Sequence, residues 1–380
     1  MINEIINLKN TVKRLLTEAA RSPHPEDFVF STGTQGAQQA LDYFTDIASN
    51  PGQTTVKWDG YPALVFGHGP DGKFSITDKH MFDKKDGTGR AIYSPSDFVK
   101  YDAARGVERS GLNNAIANMW RPLAKQTEGT EGYYWGDLLF SQPLKPQNGF
   151  YTFKANPKGL TYKIKADSDI GKMLQGKIAG IAVHQYIAPD AVSTSQAQSL
   201  NGSLGQLNND GQVALLPASL SSTPNVKLDQ SLIKKIQSEI SQNGKLIDDL
   251  FANSPVAQST LSGTLSRYVN KRVEQGSLNN LLNEFFKYLK TTPDLTNTMR
   301  VNLTQYFTQN KNGLKALFQI WADLYNLKLK VKDYFDKVEA NSPIQAYNDA
   351  GEKVGHEGYF YKGNKLVDRM KFTHNLFKGR

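Results

Sequence analysis

Short runs of alternating apolar and polar residues occupy the chain from about residue 52 to residue 188. Glycine and proline separate these runs, which is the spacing typical of strands in an antiparallel or mixed sheet. The runs are Thr54–Trp58, Ala63–Phe66, Phe74–Thr77, Tyr133–Leu139, Tyr151–Phe153, Thr161–Lys165 and Ile178–Tyr186. The pattern therefore predicts a β-rich region that contains few long helices.

Helical spacing of apolar residues precedes and follows this region. In the N-terminal segment it predicts helices over Ile2–Leu16 and Gln35–Ile47. Between residues 228 and 340 the apolar positions again recur every three or four residues, and Asp229 is suited to cap the first helix. These positions include Leu232, Ile236, Leu278, Leu281, Phe285, Leu289, Leu314, Leu317, Trp321 and Leu324. We expect a helical bundle whose apolar stripes form a core.

Two further segments complete the predicted organisation. Residues 191–227 are rich in Ser, Gln, Asn and Gly, which predicts a linker or loop. At the end of the chain, His356–Tyr361 and Lys365–Phe372 flank a Gly363-Asn364 turn and predict a hairpin. About 40 residues rarely fold alone. The sequence thus predicts an α+β protein, in which 1–190 and 341–380 form one domain and 228–340 an all-α insertion.

Composition and charge limit the classes of function. The 380 residues include no cysteine, which excludes disulfides, thiolate zinc sites and cysteine nucleophiles, and fits a reducing interior such as the cytoplasm. A net charge of +9 favours polyanionic partners, either nucleic acid or nucleotides. No run of about 18 apolar residues is present, so no membrane partner is expected. The oligomeric state is left open.

The most specific local feature is Lys57-Trp58-Asp59-Gly60. A predicted strand leads into it and another leads out, which would place Lys57 at a strand end, pointing into a cleft. The Asp-Gly pair permits a tight reversal between the two strands.

This placement resembles motif I of the covalent nucleotidyltransferases, which include ATP-dependent DNA ligases, RNA ligases and mRNA capping enzymes. Four later segments resemble motifs III, IIIa, IV and V of that superfamily, in its order along the chain. They are GYYWGDLLF at 132–140, IAGIAVHQY at 178–186, HEGYF at 356–360 and LVDRMK at 366–371. The chain also resembles tailed-phage proteins that share a KWDGxPA core. In a phage-encoded protein, the expected location is the cytoplasm of the host cell.

The resemblance implies a ligase-type fold and a role for each matched residue. Lys57 would take a nucleoside monophosphate from a triphosphate, with ATP favoured and GTP left open. Asp137 would hold the ribose, and either His184 or Tyr186 would stack on the base. The other implied nucleotide-binding residues are Thr55, Val56, Asp59, Gly60, Lys79 and Glu357, with Arg369 and Lys371 as catalytic cations.

The chemistry of this reaction constrains the site. A lysine attacks phosphorus only as the neutral amine, so its pKa must be lowered by nearby cations or by desolvation. Arg369 and Lys371 are expected to do this and to neutralise phosphate charge. Asp137 and Glu357 are expected to bind Mg²⁺, or Mn²⁺ in its place, which would help the pyrophosphate to leave.

The chain departs from the superfamily pattern at two positions. Pro62 stands where ligases carry arginine after the motif I glycine, and Arg90 is a candidate to replace that contact. Motif V begins with Arg369 instead of lysine, and a guanidinium differs from an ammonium in geometry. No OB-fold is expected after motif V, which favours RNA ends as the acceptor.

Three functions remain open at this stage. The first is an ATP-dependent polynucleotide ligase acting through lysyl-AMP at Lys57, with RNA ends slightly favoured over nicked DNA. The second is a nucleotidyltransferase with another acceptor, as in capping or protein modification. The third is a catalytically silent protein that binds nucleic acid or belongs to a virion. An adduct on Lys57 formed from ATP, from GTP or from neither separates them.

Overall fold

The computed structural model describes residues 23–157 and 159–372 of the chain. Each of the seven runs predicted as strands is a strand whose ends differ from the prediction by two residues at most. The strands are β1 (Thr55–Lys57), β2 (Ala63–His68), β3 (Phe74–Asp78), β4 (Gly132–Phe140), β5 (Phe150–Lys154), β6 (Thr161–Lys165), β7 (Ala179–Ile187), β8 (Gln198–Ser199), β9 (Val213–Pro217), β10 (Ile344–Tyr347), β11 (Lys353–Val354), β12 (Gly358–Tyr361) and β13 (Asn364–Leu366).

The helices also follow the predicted spacing. The helix expected over Gln35–Ile47 is part of α2, whereas the one expected over Ile2–Leu16 lies outside the described residues. Asp229 caps α7 as predicted, because its carboxylate accepts hydrogen bonds from the first-turn N–H groups. The helices are α1 (Val29–Thr32), α2 (Thr34–Ser49), α3 (Lys79–Phe82), α4 (Pro95–Ala104), α5 (Ser110–Gln126), α6 (Asp169–Lys172), α7 (Gln230–Ala252), α8 (Gln258–Glu274), α9 (Leu281–Thr291), α10 (Asn297–Gln309) and α11 (Lys311–Glu339), with short 3₁₀ turns at Pro25–Phe28, Pro51–Gln53 and Thr194–Gln196.

A six-stranded sheet forms one wall of the protein. Strands β3, β2, β4 and β7 are antiparallel neighbours, and β7 also pairs with β8 (antiparallel) and with β9 (parallel). Alternate residues such as Leu64, Phe66 and Tyr134 point to one face and form a core with α4 and α5. The intervening residues face the rest of the molecule, where the candidate site lies.

Two smaller sheets complete the β structure. One has the order β11-β10-β6-β5 and the other β1-β12-β13, with all neighbours antiparallel. The β12–β13 turn consists of Lys362 and Gly363, which have φ angles of 44° and 78°, as a two-residue hairpin turn requires. This turn begins one residue earlier than predicted.

The sequence-based prediction of a linker at 191–227 needs correction. Val213–Pro217 within it forms β9, which is largely buried and extends the six-stranded sheet beside β7. Gln198–Ser199 forms the short strand β8 on the same sheet. The composition of the surrounding residues concealed a five-residue run that has the burial of a central strand.

The helices between residues 230 and 339 pack into a core shared with the β structure. Phe44 of α2, Trp321 of α11 and Tyr359 of β12 belong to one continuous set of buried side chains. The helical segment predicted as an insertion is thus joined to both ends of the predicted β domain through apolar packing.

The last predicted strand, Lys365–Phe372, also needs correction, because β13 ends at Leu366 and residues 369–372 are helical. Asp368 explains the change: its Oδ1 accepts the Lys371 N–H at 3.1 Å, the hydrogen bond of a helix N-cap. The prediction of an α+β protein with antiparallel sheets is confirmed at the level of fold class.

Candidate functional site

The site begins with the pairing of β1 and β12. In that register Lys57 lies opposite Gly358, so the residue before Gly358 comes next to the lysine. The Lys57 ammonium contacts the Glu357 carboxylate, and the two side chains are only 17% and 10% exposed. Two residues 300 positions apart thereby form a largely buried ion pair.

The protonation of Lys57 differs from the sequence-based expectation. Burial acts to lower the pKa of Lys57, but the carboxylates of Glu357 and Asp137 outweigh it, and the pKa lies above the ordinary lysine value. Burial raises the pKa of Glu357, and the Lys57 charge opposes that rise. In this structure Lys57 is therefore an ammonium ion beside the group best placed to accept its proton.

Lys57 opens into a cavity of about 230 Å³ between the six-stranded sheet and the β1-β12-β13 sheet. Cations, one carboxylate, aromatic rings and small polar groups share its wall. The lining residues are Thr55, Lys57, Lys79, Trp135, Asp137, His184, Gln185, Ser199, Phe360, Lys362, Gly363 and Lys365. A ligand with both a planar ring and negative charge suits this combination of groups.

Of the three rings in the cavity wall, that of His184 lies near both of the others. The ring centroid of His184 is 5.4 Å from that of Trp135 and 6.5 Å from that of Phe360. Cations flank this aromatic group: Lys79 Nζ lies 4.8 Å from the Trp135 ring and Lys57 Nζ lies 5.9 Å from the Phe360 ring. Aromatic surface and positive charge are thus adjacent in one cavity.

A β-bulge decides which of the two predicted base-stacking residues reaches the cavity. Trp135 pairs with Gln185 but the next residue of β4 pairs with Val183, so His184 is the extra residue of β7. His184 lines the cavity, and its Nε2 is 3.6 Å from Asp137 Oδ2. Tyr186 lies on the opposite face, where its ring packs against Tyr134 at 5.7 Å.

Asp59 and Gly60 shape the turn after Lys57. Asp59 is buried, and its carboxylate accepts hydrogen bonds from Asn156 Nδ2 at 3.0 Å and the Leu160 N–H at 2.8 Å. A Cβ on Gly60 would lie 2.6 Å from Asp137 Cβ, so only glycine permits this approach of the turn to β4. Both residues predicted to bind the nucleotide have structural contacts here that hold Lys57 against Asp137.

The alternation of β1 separates the two residues predicted to bind the base through their backbone. Thr55 lines the cavity, whereas the Val56 side chain is buried in the main core. The Val56 N–H donates to the Ala218 carbonyl at 2.8 Å, so this donor already has a protein partner.

Lys79 is positioned by a charge network below it. It is the first residue of α3, whose N-cap Asp78 accepts the Met81 N–H at 2.7 Å. Arg109 and Arg105 contact the other Asp78 oxygen at 2.8 and 3.1 Å. This network fixes the start of α3 and so directs Lys79 into the cavity.

Arg369 lies outside the Lys57 cavity, in a second buried cluster. Its guanidinium contacts Glu26 at 2.5 Å and Asp27 at 2.7 Å, and Asn270 Oδ1 accepts a further bond at 2.9 Å. Lys328, fully buried, contacts the same Glu26. The charge of Arg369 is thus compensated by two carboxylates, and the expected lowering of the pKa of Lys57 by this cation is not found.

Lys371 and Arg90 are also outside the cavity. Lys371 is exposed on the helical turn after β13, beside a small space that His356 and Glu357 share. Arg90 Nη1 donates to the carbonyls of Phe82 at 3.1 Å and Val192 at 2.7 Å, which connects the end of α3 to the loop that contains Val192. The contact that Arg90 was expected to supply in place of the motif I arginine remains unassigned.

The donors present are compatible with a magnesium–nucleotide complex. Within residues 23–157 and 159–372, no group of three or more acidic or histidine side chains is arranged to hold a metal ion. Mg²⁺ in nucleotide sites needs only one or two carboxylates, together with phosphate oxygens and water. Asp137 on the cavity wall fits this requirement, and Glu357 is engaged by Lys57.

Several cavity residues were not predicted from the sequence. Trp135 could have been found, because it precedes Asp137 by two residues on a strand and must share its face. Phe360 and Lys365 are opposite each other in the β12–β13 register, but their place in the cavity depends on the pairing of β12 with β1. Gln185 lies next to the bulge in β7, and Ser199 lies in β8, within the segment that was predicted as a linker.

The chain is an α+β protein in which a lysine–carboxylate pair lies at the edge of a cavity. Lysines and aromatic rings line that cavity, so it suits a ligand with negative charge and a planar ring. A sequence model of a family of unknown function, DUF6267, matches residues 23–380, so the chain belongs to that family. Neither a curated protein nor a solved structure matches the chain. Along the part of the chain that is described, no helix has the length and apolarity needed to cross a membrane.

Proposed function

We propose that the protein is a covalent nucleotidyltransferase with a ligase-type catalytic fold, in which Lys57 accepts AMP from ATP and passes it to a polynucleotide end. RNA ends are favoured over nicked DNA. The observation that carries the proposal is the convergence of three residues on one cavity. Lys57 and Asp137 line it, and Glu357 contacts Lys57, although the chain separates them by up to 300 positions.

The first step forms the enzyme adduct. Lys57 transfers a proton to Glu357, whose burial makes it a better base than an exposed glutamate. The Nζ lone pair then attacks the α-phosphorus of ATP. A P–N bond forms, the P–O bond to the β-phosphate breaks, pyrophosphate leaves with the bonding electrons, and the nitrogen releases its second proton to water to give the phosphoramidate.

The later steps join two ends. An oxygen of a polynucleotide 5′-phosphate attacks the AMP phosphorus, the P–N bond breaks, and Lys57 regains a proton. A 3′-hydroxyl then attacks the 5′-phosphate, loses its proton and displaces AMP. The products are a phosphodiester that joins the two ends, AMP and pyrophosphate.

The cavity residues divide between the parts of the nucleotide. Trp135, His184 and Phe360 offer ring surface for the base, and Lys79 and Lys57 offer positive charge for the phosphates. A bound Mg²⁺, or Mn²⁺ in its place, would supply charge neutralisation at the phosphates, with Asp137 as its protein ligand. Glu357 receives the Lys57 proton in this scheme, so it would be available as a second ligand only after it has released that proton.

The test is formation of the adduct. Protein, Mg²⁺ and α-³²P-labelled ATP or GTP are incubated and denatured, and label on the protein is measured for wild type, Lys57→Arg and Lys57→Ala. Lys57→Arg keeps a cation against Glu357 but lacks the nucleophilic amine. Lys234→Ala, at an exposed position of α7, is the matched lysine control.

We expect ATP to label the wild type and Lys234→Ala, and neither Lys57 variant. Joining assays with RNA ends and nicked DNA would then identify the acceptor. Label from GTP alone would indicate a transferase with another acceptor. No label from either nucleotide, in folded protein whose intact mass shows no prior AMP, would reject catalysis and favour a silent binding protein.

A further inference from the structure

The sheet of β11, β10, β6 and β5 has an outer face that plays no part in the nucleotide cavity. The strand register gives its cross-strand rows directly. One row contains Lys353, Tyr347, Thr161 and Lys154, the next contains Gln345, Lys163 and Thr152, and the last contains Lys165 and Phe150.

This face is open to solvent within the part of the chain that is described. Every second residue of these strands, such as Tyr162, Ile164 and Ala346, is buried in the main core. Of the residues between them, Lys154, Lys165 and Lys353 are exposed, and Lys163 and Tyr347 are half-buried. The two sides of the sheet therefore differ in the way expected for an antiparallel sheet with one wet face.

The charge of the face has a single sign. All four ionisable residues in its rows other than Tyr347 are lysines, namely Lys154, Lys163, Lys165 and Lys353. The neighbouring carboxylate of Asp349, in the β10–β11 turn, pairs with Lys154 at 2.6 Å. Both members of this pair are exposed, so another anion can replace the carboxylate.

An aromatic ring lies among these cations. Lys163 Nζ is 4.7 Å from the Tyr347 ring, and Lys353 is the cross-strand neighbour of the same tyrosine. Lysines that follow a phosphate backbone, combined with a ring on which a base can stack, are the features by which proteins bind single-stranded nucleic acid without sequence preference.

We propose that the outer face of the β11-β10-β6-β5 sheet binds the backbone of single-stranded nucleic acid. The inference rests on the proposed function in that the bound strand would carry the end to be joined. The inner side of this sheet contacts the KWDG segment that contains Lys57, because the Asp59 N–H donates to the Tyr162 hydroxyl at 2.7 Å. The bound strand would pass about 10 Å from that segment, the thickness of one sheet layer.

The test compares two quadruple variants of equal charge. The first replaces Lys154, Lys163, Lys165 and Lys353 by glutamine. The matched control replaces four lysines that are exposed on the helices, also by glutamine. They are Lys234, Lys290, Lys311 and Lys315. Binding of fluorescein-labelled single-stranded RNA and DNA is measured by anisotropy at several salt concentrations, with duplex DNA and polyglutamate as competitors.

We expect the sheet variant to lose at least about tenfold in affinity at low salt, and the control to change by less than about twofold. At about 0.7 per phosphate contact, loss of four contacts lowers the slope of log affinity against log salt by about 3. Equal affinities for the two variants, or competition by polyglutamate as strong as by nucleic acid, would overturn the proposal. Adduct formation at Lys57 is measured in the same proteins: it should persist in the sheet variant, so failure of catalysis and failure of docking are told apart.

Discussion

Lys57 carries a proton that the proposed reaction requires it to lose. Glu357 both holds that proton in place and offers the nearest site to receive it. A carboxylate raises the pKa of a neighbouring amine, while burial in a cavity lowers it, and at Lys57 the carboxylates prevail. Binding of nucleotide phosphates would add negative charge, which favours the protonated form of Lys57 further. Because only the neutral amine attacks phosphorus, transfer of the proton to Glu357 has to precede attack.

Replacement of Glu357 tests this balance. In Glu357→Gln the nearest charge that raises the pKa of Lys57 is removed, and burial then lowers it. We expect half-maximal labelling of Lys57 by an amine-reactive reagent, followed by peptide mass spectrometry, to move to lower pH than in wild type. Glu284→Gln, which removes a carboxylate that pairs with Lys287 on α9, should leave the Lys57 profile unchanged. An unchanged or higher midpoint in Glu357→Gln would contradict the balance described.

At the scale of elements, the bulge in β7 determines the composition of the cavity wall. Without the bulge, strict alternation would place His184 and Tyr186 on the same face. The bulge instead leaves His184 beside Trp135 and Tyr186 beside Tyr134, on opposite faces of the sheet.

This difference leads to a prediction for ATP binding. Stacking of a base on an aromatic side chain contributes about 1–3 kcal/mol, so Trp135→Ala should weaken ATP binding by about tenfold or more. Tyr186→Ala removes an aromatic residue from the other face of the same sheet and should leave ATP affinity within about twofold of wild type. Fluorescent ATP-analogue titrations measure both, and equal losses in the two variants would mean that the base lies elsewhere.

Much of this arrangement follows from local sequence, and the remainder depends on pairing between distant strands. Alternation within a run predicts a strand because it needs no information from elsewhere, and all seven predicted runs are strands. Strand β9 was missed because its burial depends on β7, and polar residues surround its short apolar run. The bulge at His184 depends on the register with β4, which neither sequence segment encodes alone.

The placement of Arg369 was missed for a related reason. The local sequence predicts that Arg369 is a cation on a strand. The carboxylates that it contacts, Glu26 and Asp27, lie more than 340 positions earlier in the chain. An ion cluster of this kind becomes visible only in three dimensions. Lys57, Asp137 and Glu357 were predicted as a set through resemblance alone, and their proximity is now an observation.

At the scale of the whole molecule, the buried cluster of Glu26, Asp27, Lys328 and Arg369 connects three distant parts of the chain. It joins the 3₁₀ turn before α1, the long helix α11 and the helical turn after β13. Burial lowers the pKa of Lys328 to about 8, although Glu26 opposes this shift.

The lowered pKa of Lys328 has a consequence for stability. Between about pH 8 and the ordinary value of 10.5, the unfolded chain holds a proton on this lysine that the folded protein has released. The free energy of unfolding should therefore rise with pH in this window, by up to about 1.4 kcal/mol per pH unit. Urea unfolding measured near pH 7.5 and near pH 10 should show that the free energy of unfolding rises by about 2 kcal/mol more in wild type than in Lys328→Met. Lys311→Met, at an exposed position of α11, should retain the wild-type slope, and parallel behaviour of all three proteins would exclude Lys328 as the cause.

Strand β1 has a consequence for the timing of activity during synthesis. Its partner in the three-stranded sheet is β12, and the carboxylate that contacts Lys57 arrives with that strand, 300 residues later. A ribosome must translate 300 residues beyond Lys57 before Glu357 can contact the lysine. Under the proposed function, nascent chains and products that terminate before β12 would carry the KWDG segment yet lack Glu357, so the order of translation would delay adduct formation until that strand has been made.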